Sequence, residues 1–78
     1  MNARRLPSLK ARDVIRALQA AGFSIVRTTG SHCRLVHDRD STRQTTVPAH
    51  KGKDIPRGTL RSIIDQAGLT VDEFIDLL

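Results

Sequence analysis

The sequence predicts an α+β fold in the order helix-strand-strand-strand-helix-helix, with a three-stranded antiparallel sheet packed on helices through one face and open on the other. Three observations predict it. Apolar residues recur at helical spacing in three segments, and between the first two a β-branched stretch alternates with period two around two turns. The 78 residues suffice for one modest core, and a chain of this size buries only about 60% of the surface its unfolded form exposes. A large enclosed active site is therefore not expected. Residues 1–78 are read as a single domain, with residues 1 to 9, including Arg4, Arg5 and Pro7, as a loosely held basic arm.

The first helix is expected from about 11 to 21, where Val14, Ile15, Leu18 and Ala21 form one stripe while Arg12, Arg16 and Gln19 face away; Gly22 caps its end. Strands follow near 23 to 28, 31 to 37 and 42 to 47, separated by the turns Thr28-Thr29-Gly30-Ser31 and Asp38-Arg39-Asp40-Ser41. In the second strand Cys33 and Leu35 share one face, while His32, Arg34 and Val36 share the other. The apolar pair meets the helices, which leaves His32 and Arg34 facing solvent. The third strand is polar enough for a sheet edge, and Pro48 ends it. Pro56 suits the first turn of a helix running to about Ala67, with Leu60, Ile63, Ile64 and Ala67 buried. Beyond Gly68, Thr70 and Glu73 make a capping box for a short last helix, whose Val71, Phe74, Ile75 and Leu78 close the core.

Thirteen Lys and Arg against eight Asp and Glu give a net charge of +5. Residues 1 to 61 hold every base and four acids, net +9, whereas the last seventeen hold Asp65, Asp72, Glu73 and Asp76 with no base, net −4. This asymmetry fits a basic working surface for a polyanion with an acidic element kept away from it, although a merely solvated Arg-rich surface has the same composition. Cys33 is the single cysteine, so no intrachain disulfide forms and nothing calls for an oxidising compartment. The opening MNARRLPSLK lacks the apolar stretch of a secretory signal, and no apolar run approaches the roughly 20 residues that span a bilayer. A cytoplasmic location without membrane contact is expected.

His32 follows a turn glycine at the start of a strand, on the face expected to be open. A free imidazole titrates near pH 6.5, which suits proton transfer at neutral pH, though most isolated strand histidines are surface residues without a role. The loop Pro48-Ala49-His50-Lys51-Gly52-Lys53-Asp54 leads into a helix whose first turn holds Arg57 and Gly58. Unpaired amides at a helix start, flanked by cations, make a seat for phosphate; a solvated Lys-rich connection reads the same way in sequence. No metal site is expected, because His32 and Cys33 point to opposite faces, and Cys33 with His37 supplies too few ligands. Cys33 is expected to be a shielded core residue rather than a nucleophile. Phosphate-loop and dinucleotide fingerprints are absent from the sequence, so ATP-driven and hydride chemistry are not expected. Phe23 and Phe74, the only aromatics of the Phe, Tyr and Trp class, fall at core positions, so nucleic acid would be met through phosphate and sugar rather than by stacking bases.

The segments Gly22-Phe23, Gly30-Ser31-His32, Val47 through Ile55 and Gly58 through Ile63, followed by Gln66-Ala67-Gly68-Leu69 and an acidic C-terminal helix, resemble the HicA family of toxins from about Arg12 to Leu78. The resemblance implies a fold like that of double-stranded-RNA-binding domains. It also implies a translation-arresting ribonuclease of a type II toxin–antitoxin system, with the active histidine in the Gly-Ser-His triplet, His32, and a HicB-type antitoxin covering that surface in a hetero-oligomeric complex. Cys33 departs from the apolar residue expected at its position. A mechanism that fits both lines is cleavage of mRNA without metal or other cofactor, His32 removing the 2′-hydroxyl proton. Gly30, Ser31, Arg34, Lys51, Lys53 and Arg57 are the expected RNA and phosphate contacts, with His50 as an auxiliary. Two other readings stay open at this point: a non-catalytic module binding RNA on the same basic surface, and an interaction protein whose basic face docks an acidic partner.

Overall fold

The computed structural model describes residues 4–78 and places six elements in the order α1 (Ala11–Ala20), β1 (Phe23–Thr29), β2 (His32–His37), β3 (Gln44–Pro48), α2 (Arg57–Gln66) and α3 (Val71–Asp76). The α+β class and the element order are those expected from the sequence. α1 starts where the Asp13 carboxylate accepts the Lys10 amide proton at 3.1 Å, and it buries Val14, Ala17 and Leu18. It stops because Gly22 turns left-handed at φ 96°; a Cβ there would also come within 3.1 Å of His37 Nε2. α3 carries the expected capping box, in which Thr70 Oγ1 accepts from the Glu73 amide at 3.1 Å and Glu73 Oε1 accepts from the Thr70 amide at 2.8 Å. Hydrogen bonding to the carboxyl from the Thr70 amide first, and then from the Thr70 side chain, holds Glu73 below the usual range.

The sheet runs β1-β2-β3 with both pairings antiparallel, so β1 and β3 are its edges. β3 begins two residues later than the sequence pattern suggests, because the turn before it is longer. Asp40 Oδ1 accepts from the Thr42 hydroxyl at 2.6 Å and from its amide at 3.1 Å, which lowers the Asp40 pKa and keeps residues 41 and 42 out of the ladder. One sheet face is covered by helices. Cys33, Leu35, Thr45, Val47 and Phe23 from the sheet are buried with Leu60, Ile63 and Ile64 of α2, Ala67 just beyond it and Phe74 of α3. The buried Thr45 hydroxyl donates to Gln66 Oε1 at 2.8 Å, so the polar atom costs little there. Leu78, expected in the core, is 51% exposed, because α3 ends at Asp76 and the last turn brings Leu77 against the core instead.

The arm also differs from expectation from Arg4 onward; residues 1–3 lie outside the described residues. Leu6 and Leu9 are buried in the core, and the Leu9 carbonyl accepts from the Ile55 amide at 2.8 Å. Arg4 donates to Asp72 and Asp76 at 3.1 and 2.7 Å, and these carboxylates, Asp76 before Asp72, raise the guanidinium pKa further. The acidic C-terminal element is thus not kept away from all the bases, since the arm folds onto it. No helix among the described residues is long and apolar enough to cross a membrane.

Candidate nucleic-acid interface

The uncovered sheet face is built by the hairpin at Gly30 and Ser31. A two-residue turn joins Thr29 to its partner His32, and its first central residue, Gly30, has φ 54°, the type II′ pattern that matches strand twist and that a residue with a Cβ adopts poorly. Cys33 and Leu35 point into the core, so His32, Arg34 and Val36 point outward. Because cross-strand partners share a face, the pairing arranges this surface in rows. The first row is Thr29, His32 and Pro48; the second is Arg27, Arg34 and Thr46; the third is Ser24, Val36 and Gln44. Successive rows lie about 7 Å apart, two residues of strand rise.

His32 is exposed at the turn end of this face. Arg34 lies one row on, donating through Nη1 to Thr46 Oγ1 at 3.2 Å and through Nη2 to Gln44 Oε1, so its guanidinium leans toward β3. The loop between β3 and α2 leaves from beside His32: Pro48 pairs with His32, and the Ala49 amide donates to the Ser31 carbonyl at 2.5 Å. The loop turns back where the Lys53 amide donates to the His50 carbonyl at 3.1 Å, with Gly52 at φ 77°. His50, Lys51 and Lys53 are exposed on it. His50, Lys51 and Gly52 line an open groove of about 470 Å³ with Ala49 and with Lys10, Ala11 and Arg12 from the start of α1. Lys10 is paired to Asp54 at 2.9 Å, which leaves Arg12 and Lys51 as the groove's cations without an ion pair among the described residues.

Gly30, Ser31, His32 and Arg34 thus lie on the open face or its hairpin, while His50, Lys51 and Lys53 lie on the loop that leaves it at Pro48, two of them in the groove against the start of α1. Arg57 does not join them. Its Nη1 donates to the Leu6 carbonyl at 2.9 Å, and it lines a separate groove of about 930 Å³ with Arg4, Arg5 and Arg61. α2 starts at Pro56 with no side chain capping it. The other histidine, His37, is half-buried, accepts the Arg39 amide proton on Nδ1 at 3.1 Å and meets the Phe23 ring edge-on, with centroids 5.1 Å apart. Cys33 is buried, and no three His, Cys, Asp or Glu side chains among the described residues gather as a metal-ligand set.

Sequence reading missed Arg27. Alternation counted from Phe23 places it on the core face with Ile25, but the register slips between Ile25 and Arg27, so Val26 is an extra residue and Arg27 comes out opposite Arg34. The signal was the conflict itself, an arginine falling at an inward position of a strand.

A family model described as "HicA toxin of bacterial toxin-antitoxin" matches residues 11–69. The chain belongs to the HicA toxin family. Comparison with curated proteins gives no match. The HicA match runs from the start of α1 through α2, so it contains every row of the open face and the whole loop, and it leaves out the arm and α3. Membership gives the chain a toxin's role in a bacterial toxin–antitoxin system and, with it, an antitoxin as the kind of partner it meets.

Proposed function

We propose that this HicA toxin is an endoribonuclease that cleaves mRNA without a metal ion and so arrests translation and growth. One observation carries the reading: His32 stands exposed on the open sheet face, beside the cation-bearing loop that begins at Ala49. A phosphodiester resting between the two would present its 2′-hydroxyl to the imidazole. His32 removes that proton, the 2′-oxygen forms a bond to phosphorus, and the bond to the 5′-oxygen breaks, leaving a cyclic phosphate and a 5′-hydroxyl. Lys51, Lys53 and Arg34 offset the charge that develops on the phosphoryl oxygens, and the 5′-oxygen takes its proton from solvent or from His50. With one base on an open surface, turnover is slow, and slow turnover suffices for a toxin. A HicB-type antitoxin that covers the open face would block the same surface and neutralise the activity.

Induced expression in growing bacteria tests this reading. The parent chain should stop growth and leave cleaved messages, His32→Ala should do neither while accumulating as folded protein, and the partner encoded beside the toxin should restore growth. Growth arrest by His32→Ala equal to that of the parent removes His32 from the mechanism. Arrest with intact messages would instead favour a module that binds RNA without cutting it.

A further inference from the structure

We propose that Arg27 forms, with Arg34, a two-guanidinium clamp for the RNA phosphate next to the one at His32, an inference that rests on the open face being the RNA surface. The two arginines are directly opposed across β1 and β2. Opposed residues have Cβ atoms roughly 5 Å apart, and like charges so placed destabilise a sheet. The fold does not relieve this with a carboxylate: neither arginine has an ion pair among the described residues, and Arg34 is held by the neutral oxygens of Thr46 and Gln44. Those two bonds draw Arg34 toward β3 and leave Arg27 unengaged over β1, so two forks of N–H donors flank the middle of the face.

The bulge at Val26 makes the arrangement. Without it Arg27 would point at the helices, and the extra residue spends strand regularity to bring a second guanidinium to the open side. A phosphate bridging the pair cancels the repulsion and accepts N–H bonds from the Arg27 fork and from the Arg34 donors that Thr46 and Gln44 leave open, a geometry that suits arginine and that lysine does not reproduce. The row of Arg27 and Arg34 lies one step from the row of His32, so the clamp holds the chain on one side of the reacting bond. An acidic protein segment would also meet two arginines. RNA is favoured because both lie in line with His32; the exposed Ile25 and Val26 next to Arg27 on β1 make a protein segment the occupant that the test must separate from it.

The test measures binding of a short labelled single-stranded RNA of mixed sequence to proteins carrying His32→Ala, so that affinity is read without cleavage. Adding Arg27→Gln should weaken binding roughly tenfold, the size of one charge-assisted contact, and flatten the dependence of log affinity on log salt by about 0.7. Arg27→Lys should keep the salt dependence and lose part of the affinity. Thermal unfolding without RNA should hold steady or rise in both variants, since an opposed like-charge pair is removed or softened, whereas a structural role predicts a fall. Unchanged affinity and salt slope in Arg27→Gln overturn the clamp even if the parent chain cleaves RNA. Weakened binding by Arg27→Gln in a chain that cuts no RNA supports the clamp and removes the catalytic reading. Loss of polyglutamate binding with RNA binding intact would assign the pair to a protein partner and overturn the proposal, and a parent that binds no RNA overturns both.

Discussion

Two cationic regions of this chain look alike in composition and differ in what their charges are spent on. In the groove under the arm, Arg4 is held by two carboxylates, Arg57 by a backbone carbonyl, and Arg61 faces Asp65 at 3.9 Å, while Arg5 alone of the four has no such partner among the described residues. On the open sheet face and its loop, Arg27, Lys51 and Lys53 have no such partner among the described residues, and Arg34 has only neutral ones. The first set ties the N-terminal segment and α3 to α2. The second is left available to a ligand, so counting bases along a sequence overstates the working surface; Arg5, Arg12, Arg16 and Arg39 also have no ion pair among the described residues, so it is the shared sheet face with His32 that sets Arg27 and Arg34 apart.

The largest effect that separates the regions should come from the loop. Replacing Lys51 and Lys53 together with Ala should lower kcat/KM for RNA cleavage on the order of 100-fold, two charge-assisted contacts, with no change in Tm. A similar loss of cleavage on removing Arg4 would erase the distinction. Next comes Leu6→Ala, which truncates a side chain only 9% exposed and should cost about 2 kcal/mol of stability in denaturant titration while leaving cleavage per folded molecule intact. Retained stability would return the arm to the loosely held state that its sequence suggests.

These contrasts mark where sequence was informative. Element order, the Gly30-Ser31 turn and the outward placement of His32 and Arg34 were legible because each depends on neighbours a few residues away: a glycine free to take positive φ, and alternation with Cys33 and Leu35. Arg27 was hidden by a one-residue bulge, which inverts the alternation from that point without leaving a mark of its own. Arg57 was read as a phosphate contact because its acceptor, the Leu6 carbonyl, is 51 residues away in the chain. Leu6 and Leu9 escaped because an extended segment buries residues without any helical or strand period.

A smaller effect is expected from Arg57→Ala, which loses the bond to Leu6 and should destabilise by about 1 kcal/mol with cleavage per folded molecule unchanged. A large loss of RNA affinity in that variant would move Arg57 back to the working surface. The smallest concerns the α3 cap. The Glu73 pKa is lowered in the fold, so its contribution is present above its ordinary value of 4.5 and fades as pH falls through the lower folded value. Thr70→Ala should therefore lower Tm at neutral pH, and the gap to the parent should narrow in acid below that range. A gap that does not change with pH would mean that the Glu73 carboxylate takes no part.

Cleavage of a defined RNA by the purified chain in EDTA, compared with His32→Ala, bears most directly on the central claim. The account predicts new fragments ending in a cyclic phosphate and a 5′-hydroxyl for the parent, and none above background for the variant. Equal cleavage by the variant, or cleavage by the parent only after a divalent metal is added, would contradict it.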